Sequence, residues 1–113
     1  MTVQTSADIL REALALIDTR GWACDDSGSR LSIYSAISIV MFGKTALDLG
    51  MLELLLLARG DGPCGFVQEA VGGGYKGVAD WEMRRDRMKE EVVGVMHAAI
   101  ALAELHLSKE RAA

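Results

Sequence analysis

Residues 81–111 constrain this chain more than any other stretch. They contain no proline and one glycine, and from 92 to 107 almost every residue is apolar. At helical spacing Met88, Val92, Val95, Ala99, Leu102 and His106 form one stripe, and Val93, Met96, Ile100, Ala103 and Leu107 form an adjoining one. Only Glu90, Gly94, His97, Ala101, Glu104 and Ser108 remain for a polar face. A helix with so narrow a polar face is normally buried on most sides. The expectation is an all-α fold: a small bundle of four to five helices around a long, buried C-terminal helix.

The remaining segments fit that frame. A chain of 113 residues is the size of one domain, and residues 1–113 read as a single helical domain. Thr5 or Ser6 can cap a first helix over residues 7–20, with Asp8 placed to meet free backbone amides. Ile9, Leu10, Ala13, Leu14, Leu16 and Ile17 form its apolar stripe. Gly21 is expected as a left-handed cap with Trp22 folded back on Ile17. A polar turn, residues 23–30, leads to a second apolar segment from Ser32 to Met41. Its alternation around Ile37-Ser38-Ile39 leaves a strand open, while length and three- and four-residue steps favour a helix.

Gly43 and Lys44 mark a break, and Asp48 can cap a third helix. Four consecutive leucines, 54–57, cover every side of it, so it too is expected to be buried nearly all round. Residues 59–63 (RGDGP) form a strong turn signal, and residues 66–71 read as a short helical turn. Gly72-Gly73-Gly74-Tyr75-Lys76-Gly77 then reads as a loop, and Asp80 as the best cap for the final helix.

Charge and composition exclude several functions. The net charge is −4, so phosphate backbones and anionic lipid are poor partners. Arg84, Arg85, Arg87 and Lys89 alternate with Glu82, Asp86, Glu90 and Glu91, which reads as a solvated helix start. The first eight residues lack a basic region followed by an apolar core, so no secretory signal is expected. The charge-free run 31–43 is well short of the roughly 20 residues a membrane span needs. A cytoplasmic protein with no membrane contact and with reduced Cys24 and Cys64 follows as the expectation.

At Gly21-Trp22 and Trp81 the sequence resembles a family of small uncharacterised proteins of actinobacteria and their phages. Those proteins carry Gly-Trp after the first helix, a mid-chain apolar helix and a Trp-Asn-Asp turn before a last helix starting Thr-x-x-Glu-Val. Gly21, Trp22, Trp81 and Glu91-Val92 match. Glu82 and Met83 stand for the Asn-Asp pair and Met88 for the capping Thr, which implies an earlier start for the last helix. The resemblance spans most of the chain and implies no activity.

No motif carries chemistry. His97 and His106 lie about 180° apart on a helix, and neither has a metal-ligand residue three or four positions away except Glu110 beside His106. Cys24 and Cys64 stand in separate loops without a histidine partner. The glycine run matches G-x-G-x-x-G, but no strand precedes it. Asp25, Asp26, Asp61 and Glu69 show no acid–base arrangement. No catalytic, metal or cofactor residue is therefore assigned.

One signal remains, an excess of apolar helix surface for so small a domain. It points to a homodimer acting by binding another protein, as an adaptor or inhibitor. The interface is expected along Met88, Val92, Val95, Met96, Ala99 and Leu102. The alternative is a small-molecule or enzymatic pocket between helices near Trp22, Trp81 and the loop from Gly72 to Gly77.

Overall fold

Thr5 begins the first helix, α1 (Ser6–Arg20), in a computed structural model that describes residues 4–25 and 28–112. The Thr5 hydroxyl accepts from the Asp8 amide and the Asp8 carboxylate accepts from the Thr5 amide, both at 3.2 Å. Two of the amides that a helix start leaves open are thereby satisfied. Leu10, Ala13 and Ile17 are fully buried along one face. Gly21 closes the helix with φ 89° but ψ 164°. The positive φ is as expected, yet the backbone is extended and not left-handed helical. It runs straight into a single bridge between Trp22 and Leu31. A Cβ on residue 21 would stand 3.0 Å from Arg30 Cγ.

The second segment is helix, not strand. α2 (Ile33–Phe42) starts at Ser32, whose hydroxyl accepts from the Ser35 amide, and ends at left-handed Gly43. Ser38, which suggested alternation, is buried, and so is Ser35. Ser35 Oγ accepts from the Ala46 amide at 3.2 Å, and Ser38 Oγ donates to the Lys44 carbonyl at 2.6 Å. Buried hydroxyls thus replace lost water contacts and pin residues 44–46 against the helix.

Asp48 does not cap the third helix. It ends a short 3-10 turn, Ala46–Asp48, and α3 (Met51–Leu57) starts after Gly50. Pro63 occupies the first turn of α4 (Pro63–Val71), where its missing amide is harmless. The expected turn over residues 66–71 is therefore the end of a longer helix. Gly72 closes it, and the glycine run forms the loop.

The C-terminal region is two helices. α5 (Val78–Glu82) stops at Met83, and α6 (Lys89–Ala112) begins six residues later. Asp80 lies inside α5, where it accepts from the Lys76 amide and pairs with Arg84. Glu91 supplies the α6 start by accepting from the Met88 amide at 3.0 Å. The helix thus starts just after Met88, and the expected earlier start is not found.

Six α-helices are formed among the described residues, one more than the upper expectation, and no strand. α1 packs on α2 and α6, and α4 packs on α6. The core is Leu10, Ile17, Leu31, Ile33, Ile37, Val67, Val78, Val92 and Met96 with smaller residues between them.

α6 is buried along one face only, through Val92, Met96, Ala99, Ile100 and Ala103. Glu90, Gly94, His97, Ala101, Glu104 and Ser108 face solvent, as the periodicity predicts. By length and composition alone residues Lys89–Glu110 could also cross a membrane, a property that a core helix of this kind shares.

Candidate interaction surface

α3 is the place where burial and sequence disagree most. Its leucines were expected inside, but only Leu57 is buried, at 4% exposure. Leu47, Met51, Leu52 and Leu55 are 82%, 73%, 77% and 61% exposed, and Leu54 and Leu56 are also classed as exposed. The reason is geometric. Seven residues make two turns, and α3 meets the rest of the protein chiefly along α2. A helix held along one line can bury one stripe, whatever its other sides carry. Leu52, Leu55 and Leu56 stand at one- and three-residue steps on the outer side.

Two ion pairs frame this surface. Lys44 Nζ lies 2.9 Å from Glu53, and the Gly50 amide donates to the same carboxyl at 3.0 Å. Lys44 and then the Gly50 amide hold the Glu53 pKa below its ordinary value. Arg59 grips Asp61 with two bonds, Nε to Oδ1 at 3.0 Å and Nη2 to Oδ2 at 2.8 Å. That contact holds the Asp61 carboxyl low in turn. Beside Leu56 a cleft of about 280 Å³ opens between the end of α2, at Met41 and Phe42, and Pro63 of α4. Arg59 and Asp61 line its mouth. Of the exposed α3 leucines, Leu56 lines this cleft.

The second feature is a buried carboxylate. Glu82 is 2% exposed, and its Oε2 accepts from the Trp22 indole Nε1 and from the Ile33 amide, each at 2.7 Å. α5 carries it to the start of α2, where unpaired amides favour negative charge. Glu82 was expected in a solvated charge run, and so was Arg87. Instead the Arg87 guanidinium lies 3.9 Å from the Trp81 ring centre, donates to the Trp81 carbonyl and pairs with Glu91. Tyr75 sits under Arg84 and Arg87 at 5.1 and 5.8 Å. Trp22 and Trp81 are thus held by Glu82 and Arg87 in fixed polar contacts. Trp22 meets Glu82 through its one indole donor.

The other singled-out residues are spread widely. Of the expected interface, Val92, Met96 and Ala99 are fully buried in the chain's own core, Val95 and Leu102 are half-buried, and Met88 is exposed. Cys64 is buried, which pushes its thiol up to about 12, while Cys24 is exposed. Burial, with smaller contributions from Cys64 and Glu82, also raises Tyr34. His106 pairs with Glu110 at 3.0 Å on the surface and tilts against Phe66, with 5.6 Å between ring centres. His97 is exposed on the opposite side of the helix. Asp25, Asp61 and Glu69 are exposed and separate, and Asp26 lies outside the described residues.

Sequence reasoning missed both features. The signal for α3 was available in one respect: a two-turn helix between Gly50 and the Arg59–Pro63 turn is too short to be surrounded.

The sequence model of a family of unknown function (DUF6197) matches residues 1–102. No curated protein and no solved structure matches the chain.

Proposed function

We propose, for a chain that belongs to the DUF6197 family of unknown function, that it acts by binding protein through the outer face of α3, without catalysis. The observation that carries this reading is the exposure of Met51, Leu52 and Leu55 on α3 and of Leu47 in the turn before it, each more than three-fifths exposed. Exposed apolar patches of this kind mark interaction sites, since water contact with them is unfavourable by about 25 cal/mol per Å². Methionine and leucine side chains adapt to a partner's contour at low strain. The face replaces α6 as the favoured surface, because three of the six residues expected at the α6 interface, Val92, Met96 and Ala99, are consumed by the chain's own core.

A photoreactive benzophenone residue at position 55 tests the reading against one at position 97, which is exposed but polar in setting. Protein adducts in cell extract are expected at 55 and not at 97. Equal adduct formation at the two positions would sink it.

A further inference from the structure

We propose that a separate site, the cleft where α2 meets α4, binds a small organic ammonium ion, independently of any protein held by α3. The cleft holds about 310 Å³ and is lined by Tyr34, Gly60, Cys64, Gly65, Gln68 and Glu69. That size suits a small molecule. Neither tryptophan and no residue of the 72–77 loop lines it, so it is not the pocket expected beside Trp22 and Trp81.

α4 builds one wall. Cys64 and Gln68, and likewise Gly65 and Glu69, stand four residues apart and so share a face of the helix. Helical side chains lean toward the N-terminus, which brings Glu69 over Gly65. Gly65 has no side chain to fill that space, and a Cβ there would meet the Gly60 carbonyl oxygen at 1.9 Å.

The lining selects the sign of the ligand. Among the described residues the side chains of Tyr34, Gln68 and Glu69 make no hydrogen bond or ion pair, and the Gly60 carbonyl accepts none. No lysine, arginine or histidine lines the cleft, and the adjacent cation, Arg59, is held by Asp61. Burial keeps the Tyr34 phenol and the Cys64 thiol neutral. Glu69 is therefore the one full charge among several acceptors. A helix start offers an anion a partial charge of about half a unit. At α4, however, Pro63 has no amide, and the Gly65 amide is given to the Gly62 carbonyl. The carboxylate outweighs it, and the net charge of −4 acts in the same direction.

Depth selects the shape. Cys64 is buried, Tyr34 half-buried and Glu69 exposed. An apolar body fits against the Tyr34 ring and the thiol, with its ammonium group at Glu69 in the mouth.

Calorimetric titration of the purified full chain with phenethylammonium at neutral pH tests the proposal. 2-Phenylethanol and 3-phenylpropionate serve as neutral and anionic counterparts of similar size. The ammonium ion is expected to bind at least tenfold more tightly than either. Glu69→Gln is expected to weaken it at least tenfold at unchanged melting temperature, and Tyr34→Phe severalfold. Glu90→Gln, an exposed carboxylate on α6, should leave it unchanged. Amide NMR shifts are expected at Cys64, Gly65 and Glu69.

No binding of the ammonium ion up to millimolar concentration would overturn the proposal. Equal binding of all three compounds would overturn the role of charge, and a preference for the carboxylate would make the α4 start the recognising group instead. Binding that survives Glu69→Gln, or that Glu90→Gln weakens equally, also overturns it, because the ion then sits elsewhere or is drawn by net charge alone.

Discussion

Glu82 joins three elements through one oxygen: Trp22 after α1, the first amide of α2, and α5 itself. Removing the carboxylate leaves two buried donors without that acceptor. Glu82→Ala is therefore expected to lower unfolding free energy by about 3 kcal/mol, with a red shift in tryptophan emission as Trp22 loosens. Glu82→Gln keeps an acceptor oxygen and should cost less; equal losses would mean that hydrogen bonding is not what holds the site. Thiol chemistry gives a second prediction at this scale. At pH 8 a thiol whose pKa is pushed to about 12 stays protonated and sheltered, so Cys64 is expected to be inert. A disulfide-exchange reagent should titrate one fast thiol, Cys24, and reach the second only in denaturant. Neither role was legible in the sequence, because the partners of Glu82 lie 60 and 49 positions away and no local spacing encodes them.

Among the helices, two glycines of the same composition have opposite meanings. Gly94 lies in the exposed face of α6 with open space around it. Gly94→Ala is expected to stabilise the protein by roughly 0.5–1 kcal/mol, the helix-propensity difference. Gly65 lies in the first turn of α4, where a Cβ would stand 1.9 Å from the Gly60 carbonyl oxygen. Gly65→Ala should destabilise by about 2 kcal/mol or more, since backbone would have to move. Thermal melts of the two variants check the signs, and a destabilised Gly94→Ala would contradict the open exposed face assigned to α6. The α1 start was legible in a local device, Thr5 with Asp8, while Ser32 was legible only as the edge of an apolar segment. The α5–α6 break was harder to read, because the Met83 end is set by Trp81 and Glu82 seating in the core, where Val78, Trp81 and Glu82 are all buried.

For the whole molecule, the radius of gyration is 13.4 Å, about what a compact chain of this length shows. Acid response is also a molecular sum. Asp8, Glu53, Asp61, Asp80 and Glu91 all have folded pKa values below their ordinary 3.8 or 4.5. Amide contacts lead for Asp8, Asp80 and Glu91, and contacts with Lys44 and Arg59 lead for Glu53 and Asp61. A group lowered on folding adds stability above its unfolded value and loses it as pH falls through its folded value. The melting temperature is therefore expected to change little between pH 6 and 8 and to fall below about pH 4; a melt that rises in acid would contradict the pairing. These groups are all reached by solvent, so salt should weaken the effect.

By itself the sequence determined what local rules encode. It specified the helical class, an α1 start at Thr5 or Ser6 with Asp8, an apolar segment between Ser32 and a break at Gly43, and the polar stripe on α6, because periodicity and capping act within a few residues. Tertiary structure alone decided which apolar sides are covered. A run of leucines states that a helix favours burial but not how many neighbours will reach it. α6 received cover from α1 and α4, while α3, two turns long and held chiefly by α2, kept most of its leucines in water.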